Sequence, residues 1–152
     1  MKINRRQALG LSAGAAVFAA AGFRAAPAVA DAAATEVAIK EFTGGIIPAE
    51  AGKLTLKTPE IAENGNTVPV SVSVESAMSG DDMVESIAIL AEGNPNPGVV
   101  VFSFTPMSGA AAATTRMRLA KTQNVIAIAK MADGTFYMDK KEVKVTIGGC
   151  GG

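Results

Sequence analysis

Thr67-Val68-Pro69-Val70-Ser71-Val72-Ser73-Val74 is the stretch of this chain that states its fold class most clearly. Its four valines recur at every second position, so on an extended backbone they share one face and the polar residues share the other. One face is therefore suited to burial against a second layer, which indicates a half-buried β-strand. Pro69 has no N–H for a neighbouring strand, and this predicts an edge strand or a β-bulge.

Similar β-rich runs follow along the chain between clusters of turn residues such as Asn64-Gly65-Asn66, Asn94-Pro95-Asn96-Pro97-Gly98 and Asp133-Gly134. About seven strands at near-regular spacing, without long helices, predict an all-β antiparallel sandwich of immunoglobulin-like type, with a partly open barrel as the alternative. In the last strand Val143, Val145 and Ile147 share one face, and Ile147 is the final side chain expected to pack. The predicted strands are residues 53–57, 67–74, 84–91, 99–105, 114–119, 125–131 and 142–147, with a short 136–138 segment before the last.

A short helix is predicted ahead of the strands, over residues 35–42. Thr35 has the side chain of an N-cap, and Gly44-Gly45 would end the helix. Val37, Ile39 and Phe42 fall partly on one side of this helix.

The first thirty residues have the layout of an export signal. The pair Arg5-Arg6 precedes a moderately apolar run, 8–23, and Ala28-Val29-Ala30 is a small-residue cleavage site. The adjacent arginines indicate the twin-arginine route and a periplasmic destination. A membrane anchor is the alternative, but the run is short and diluted by glycine, whereas a span needs about 20 apolar residues. We therefore divide the chain into a cleaved signal (1–30), a β-sandwich domain (31–147) and a tail (148–152).

The composition excludes several classes of function. Without its signal the chain has 10 basic against 14 acidic residues, a net charge of −4, which argues against nucleic acid and anionic membrane surfaces. There is no histidine, so the usual Ser-His and Cys-His pairs and His-based metal sites are ruled out. The basic residues that leave with the signal are Lys2, Arg5, Arg6 and Arg24.

Two clusters of charge are candidate binding sites. Asp81, Asp82 and Glu85 form a tight acidic group, for which a solvated turn is favoured over a weak divalent-ion site. Arg116 and Arg118 share one face of a predicted strand, and an exposed face is favoured there over an oxyanion site. We therefore expect no catalytic residue, no metal and no permanently bound cofactor.

The tail is Gly148-Gly149-Cys150-Gly151-Gly152, and Cys150 is the only cysteine of the chain. Four glycines bury nothing and cost conformational entropy on folding, so the segment is poor material for a core. A slender backbone could instead enter a narrow channel of a partner and present one sulfur there. In an oxidising compartment a single cysteine pairs between molecules, is capped, or acts as a reactive thiol. The tail thus predicts a flexible arm with a covalent cargo on Cys150.

These features together resemble the SoxY family of sulfur-carrier subunits of the periplasmic thiosulfate-oxidising Sox system. The glycine-flanked Cys150 and the twin-arginine leader both fit this family. Further matching segments are Lys40-Glu41-Phe42-Thr43-Gly44-Gly45, Ala62-Glu63-Asn64-Gly65-Asn66-Thr67-Val68-Pro69-Val70, Asn94-Pro95-Asn96-Pro97 and Thr115-Arg116-Met117-Arg118-Leu119-Ala120.

The resemblance implies a carrier on which other enzymes act. SoxY pairs with SoxZ, which lacks a signal peptide and would be exported with it. The haem enzyme SoxXA couples thiosulfate to the carrier cysteine, and the manganese-dependent hydrolase SoxB releases sulfate. In some organisms a sulfane dehydrogenase oxidises the remaining sulfur. Carried over to this chain, Cys150 is the attachment point, and Gly148, Gly149, Gly151 and Gly152 form the arm.

Three other interpretations compete with this one. One is a carrier that holds sulfur as a terminal thiocarboxylate after Gly-Gly, but making that group requires ATP, which argues against an exported protein. Another is an exported binding module whose tail cysteine only crosslinks subunits. A secreted enzyme is the third, and the lack of histidine disfavours it. A disulfide dimer through Cys150 is expected under either the carrier or the binding-module interpretation.

Overall fold

A computed structural model describes residues 32–50 and 52–148 of the chain, and within them one helix precedes nine strands. Two short 3₁₀ turns lie at Gly80–Asp82 and Pro106–Ser108. The helix is α1 (Ala32–Thr43), and the strands are β1 (Ala49–Glu50), β2 (Leu54–Lys57), β3 (Ile61–Ala62), β4 (Val68–Val74), β5 (Val84–Ala91), β6 (Gly98–Ser103), β7 (Ala111–Met117), β8 (Gln123–Met131) and β9 (Phe136–Val145).

The strands form two sheets. The larger sheet has the order β1-β9-β8-β5-β6, and β3 also pairs with β9, while the smaller sheet has the order β2-β4-β7. The long pairings are antiparallel, and only the two-residue strands β1 and β3 run parallel to β9. A hydrogen bond of 2.9 Å from the Leu56 N–H to Asp139 Oδ2 joins β2 of one sheet to β9 of the other.

The main core lies between the two sheets. Val70 and Val72 of β4 face Ile87 of β5 and Val125 of β8 within one cluster of buried side chains, each at most 1% exposed. These side chains come from alternate positions of their strands, as the period of two requires. The predicted all-β sandwich is therefore confirmed, and so is the common face of the four valines of β4.

A second apolar cluster covers the outer face of the larger sheet. Leu90, Ile126, Ile128 and Phe136 point away from the main core and pack against Ala38, Ile39 and Phe42 of α1. The Phe42 and Phe136 rings meet edge to face with centroids 6.2 Å apart. Strands β5 and β8 are consequently buried on both faces.

The helix departs from its prediction at its beginning. Thr35 lies inside α1 and is 2% exposed, so its role as N-cap was wrong. Of the three apolar residues placed partly on one side of the helix, Ile39 and Phe42 pack against the sheet, whereas Val37 is 55% exposed. The predicted stop is confirmed: Gly44 and Gly45 have positive φ, and the Gly45 N–H donates to the Lys40 carbonyl at 3.0 Å.

Pro69 does not mark an edge strand or a bulge. Strand β4 is the middle strand of the smaller sheet, and its register with β7 is continuous from Val68 to Val74. The proline is tolerated there because β2 ends opposite Ser71, so at Pro69 the strand has a neighbour only on the β7 side.

The end of the chain forms one strand where two were predicted. Strand β9 runs without interruption from Phe136 to Val145 and pairs with β8 along most of its length. Val143 is buried and Val145 half-buried, as expected, but Ile147 lies beyond the strand and is 69% exposed. Its predicted packing was wrong. The Asp133-Gly134 turn before β9 is confirmed, with Gly134 at a φ of 85°.

Truncation of Leu56 tests the main core. This side chain is 0% exposed between the sheets, so Leu56→Ala leaves a cavity and should lower the free energy of unfolding by about 2–5 kcal/mol. Urea unfolding measures the change. Val37→Ala is the matched control, because Val37 is exposed on α1 and its truncation should change the value by less than about 0.5 kcal/mol. Equal losses in both variants would contradict the assigned core.

Candidate functional site

The predicted attachment point Cys150 lies outside the described residues, together with Gly149, Gly151 and Gly152. The predicted twin-arginine signal (1–30) lies outside them as well. Gly148 is the last residue that the structure describes. The structure therefore describes the site as far as residues 146–148, which precede Cys150 in the sequence. We call these three residues the tail root.

On one side, the tail root is held by the segment that follows β3. The Thr146 N–H donates to the Ala62 carbonyl at 3.1 Å, and Thr146 Oγ1 donates to the Glu63 carbonyl at 3.0 Å. The Gly65 N–H donates to the Ile147 carbonyl at 2.8 Å. These three bonds continue the parallel pairing of β3 with β9 past the end of the strand. The chain is therefore fixed up to Ile147.

On the other side lies the connection between β7 and β8. The Val145 N–H donates to Thr122 Oγ1 at 2.9 Å. The Leu119 N–H donates to the Gly65 carbonyl at 2.8 Å, and the Leu119 side chain is fully buried in the main core. Leu119 thus ties this connection to the core, and Gly65 bonds both to it and to the tail root.

Gly148 passes very close to the backbone of that connection. A Cβ placed on it would lie 2.5 Å from the Ala120 carbonyl oxygen, closer than a carbon atom can approach without displacing one of the two segments. Its φ is outside the left-handed region, so glycine is required here for space and not for backbone conformation. The predicted arm therefore begins with a residue that lies against the domain.

The segment that meets Gly148 is itself held by a side-chain network. Asn94 Nδ2 donates to the Arg118 carbonyl at 2.8 Å, and Asn94 Oδ1 accepts from the Ala120 N–H at 3.0 Å. Gln123, only 7% exposed, donates to Asn94 Oδ1 at 2.9 Å, and its Oε1 accepts from the Gly93 N–H at 2.7 Å. Every polar atom of the Asn94 amide thus has a backbone or side-chain partner.

Three of the sequence segments that resembled a known family meet at this place. Residues 62–70 supply Ala62 and Gly65, residues 94–97 supply Asn94, and residues 115–120 supply Leu119 and Ala120. The fourth segment, 40–45, ends α1 against the outer face of the larger sheet. Sequence analysis did not identify Asn94 or Gln123 as site residues; the Asn-Pro-Asn-Pro run was the available signal.

The surface around the tail root is partly apolar. Ile147 is 69% exposed, and Ile61, in the strand that pairs with the end of β9, is 57% exposed. Both side chains lie near the end of β9, and single exposed aliphatic side chains of this kind are common on protein surfaces.

The two charged clusters lie at the surface of the domain. Arg116 and Arg118 are both exposed, which agrees with the favoured interpretation of an exposed strand face. Asp82 pairs with Lys53, and Glu85 pairs with Lys130 at 2.7 Å. Within residues 32–50 and 52–148, no group of three or more His, Cys, Asp or Glu side chains is placed to hold a metal ion. No helix in the same ranges is long and apolar enough to cross a membrane.

The ion pair of Asp82 affects its titration. The hydrogen bond from the Lys53 ammonium lowers the pKa of Asp82, and a second hydrogen bond from the Ala77 N–H, at 2.7 Å, lowers it further. Because the folded pKa lies below the unfolded value, the paired carboxylate stabilises the fold above the unfolded pKa of about 3.9. That contribution is lost as the pH falls through the folded pKa of Asp82.

We therefore expect Asp82→Asn to destabilise the protein most near neutral pH and progressively less below about pH 4. Urea unfolding at a series of pH values measures the difference from the wild type. Asp81→Asn is the matched control, since Asp81 is the exposed neighbour in the same turn. A difference between Asp82→Asn and the wild type that is constant with pH would contradict this assignment.

Comparison with known proteins assigns the family. The family model described as sulfur oxidation protein SoxY matches residues 39–150, so the match begins inside α1 and ends at Cys150. The structure is similar to that of the sulfur carrier protein SoxY from Chlorobium limicola f thiosulfatophilum, with 34% identity and a TM-score of 0.63. That match covers 77% of this chain and 100% of the other.

More distant structures share only the fold. A superoxide reductase (neelaredoxin) from Ignicoccus hospitalis is 23% identical, with a TM-score of 0.53, over 62% of this chain and 80% of its own. The superoxide reductase from Nanoarchaeum equitans is 12% identical, also with a TM-score of 0.53, over 64% of this chain and 99% of its own. No curated protein matches the sequence.

The sandwich fold and the matched family model define a sulfur-oxidation protein of the carrier class. The chain belongs to the SoxY family.

Proposed function

We propose that Cys150 is the covalent attachment point for the sulfur species that this protein carries. The family match that extends to residue 150 is the observation on which this proposal rests. It is supported by the similarity to a solved sulfur carrier protein and by the presence of a single thiol in the chain. Since Gly148 lies against the domain, Cys150 is two residues from a fixed point, a reach of roughly 7 Å.

The chemistry needs only a thiolate from this chain. Coupling of thiosulfate, R–S⁻ + S₂O₃²⁻ → R–S–S–SO₃⁻ + 2e⁻, forms one S–S bond and passes two electrons to the haem enzyme SoxXA. Hydrolysis by SoxB, R–S–S–SO₃⁻ + H₂O → R–S–S⁻ + SO₄²⁻ + 2H⁺, breaks the bond to the sulfonate sulfur. A sulfane dehydrogenase would then oxidise the sulfur that remains. The protein itself is a carrier and not an enzyme.

The proposed carrier works in the periplasm as a heterodimer with SoxZ. Export by the twin-arginine route, directed by residues 1–30, would move the folded pair together. SoxXA, SoxB and a sulfane dehydrogenase would dock transiently, and the exposed Ile61 and Ile147 beside the tail root suit such contacts. A tethered intermediate cannot diffuse away between these enzymes. The absence of a second cysteine also keeps a persulfide from reacting within its own chain.

Intact-mass spectrometry of the mature protein from thiosulfate-grown cells tests the attachment point. We expect mass increments of whole sulfur atoms or of a thiosulfate group, removable by a reductant because they are held through S–S bonds. Cys150→Ser should abolish all of them.

Met107→Ser is the matched control, since Met107 is a 96% exposed sulfur that should carry nothing. Adducts that persist without Cys150, or a single unmodified mass in the wild type, would overturn the proposal. Constitutive disulfide dimers as the active form would instead favour a module whose cysteine crosslinks subunits.

A further inference from the structure

The contact of Gly148 and the network of Asn94 involve the same short segment, residues 118–120. Asn94 donates to the carbonyl at its beginning, on Arg118, and accepts from the N–H at its end, on Ala120. The Ala120 carbonyl faces Gly148. Its position is therefore held by the bonds of Asn94 to the Ala120 N–H and to the Arg118 carbonyl. Asn94 thus holds both ends of the segment against which the tail root rests, while the buried Leu119 side chain holds its middle.

The orientation of the Asn94 amide is determined by its partners. Its oxygen accepts from Gln123 Nε2 as well as from Ala120, while its nitrogen donates to a carbonyl. If the amide were flipped, its nitrogen would face the donors of Ala120 and Gln123, and its oxygen would face the Arg118 carbonyl oxygen. An aspartate at this position could still accept two bonds but would set a carboxylate oxygen against the Arg118 carbonyl, so Asn94→Asp is a near-isosteric way to break one bond.

Gly65 connects the same segment to the tail root a second time. Its carbonyl accepts from the Leu119 N–H, and its own N–H donates to the Ile147 carbonyl, each at 2.8 Å. A shift of residues 118–120 would therefore disturb both the contact at Gly148 and the bond at Ile147. The two contacts are coupled through a single rigid segment.

We propose that Asn94 is a positioning residue for the tail. Because Asn94 holds residues 118–120, Gly148 rests against a fixed backbone and acts as the pivot of the tail. By holding residues 118–120, Asn94 fixes where the chain leaves the domain and limits the free length that bears Cys150 to the residues after Gly148. Without this seat the last residue held by hydrogen bonds would be Ile147, or Thr146 if the bond at Ile147 also opened, and the tether would lengthen by roughly 3–7 Å. The importance of this for sulfur transfer rests on the proposed function, because a longer tether lowers the effective concentration of the thiol at a docked enzyme.

A nitroxide on Cys150, the single cysteine, reports on the pivot directly in the full mature chain. The test variants are Asn94→Ala, Asn94→Asp and Gly148→Ala. Asn96→Ala is the control for the loop, since its Oδ1 accepts only the local Gly98 N–H at 3.2 Å. Gly98→Ala is the control for added volume, because a Cβ there would meet its nearest atom at 3.7 Å, an ordinary contact.

Each test variant should shorten the rotational correlation time of the nitroxide by roughly twofold or more, because the spin label then moves on a longer free segment. Amide exchange at Gly65 should accelerate roughly fivefold to tenfold, since its bond to the tail root opens more often. The controls should leave both quantities as in the wild type. A residue that merely stabilises the fold would lower the free energy of unfolding without changing the nitroxide spectrum of the folded protein.

Unchanged spectra and unchanged exchange at Gly65 in all three test variants would overturn the proposal. So would an equal change in Asn96→Ala, which would mean that the whole loop had loosened. A response in Gly148→Ala alone would overturn the role of Asn94. The spin label needs no sulfur cargo, so these results stand even if the mass measurements refute Cys150 as a carrier thiol.

Discussion

The double burial of strands β5 and β8 is the constraint on which the rest of the structure depends. Their inward side chains meet the smaller sheet, and their outward side chains Leu90, Ile126 and Ile128 meet α1. With both faces covered, the centre of the larger sheet offers no surface for function, as is general for sheets buried on both faces. Contacts with other molecules are left to strand ends, loops and edges, and the tail root lies at one such end.

The tail root shows how a folded domain can fix the point from which a terminal segment begins. Backbone bonds from Ala62 and Gly65, and the close approach of Ala120, hold the chain up to Gly148. Side chains contribute directly through Thr146 Oγ1 and Thr122 Oγ1, and indirectly through Asn94 and Gln123, which hold the backbone that the tail root contacts. Such a scaffold gives the residues that follow Gly148 a defined point of origin on the domain.

The fold alone does not explain the function. Superoxide reductases share this sandwich at low identity, whereas the present chain contains no histidine and belongs to a family of sulfur oxidation proteins. Its own local features are one cysteine among glycines in the sequence, and three loop segments that meet at the tail root.

The sequence by itself determined the strands with clear alternation, such as β2 and β4, and the turns at Gly44-Gly45 and Asp133-Gly134, because period and turn chemistry are local properties. It also singled out Cys150. Only the tertiary structure decided that Pro69 lies in a middle strand, that Ile147 is exposed, and that Asn94 supports Gly148 through Ala120. These depend on where β2 ends and on how loops far apart in sequence pack, which no local pattern encodes.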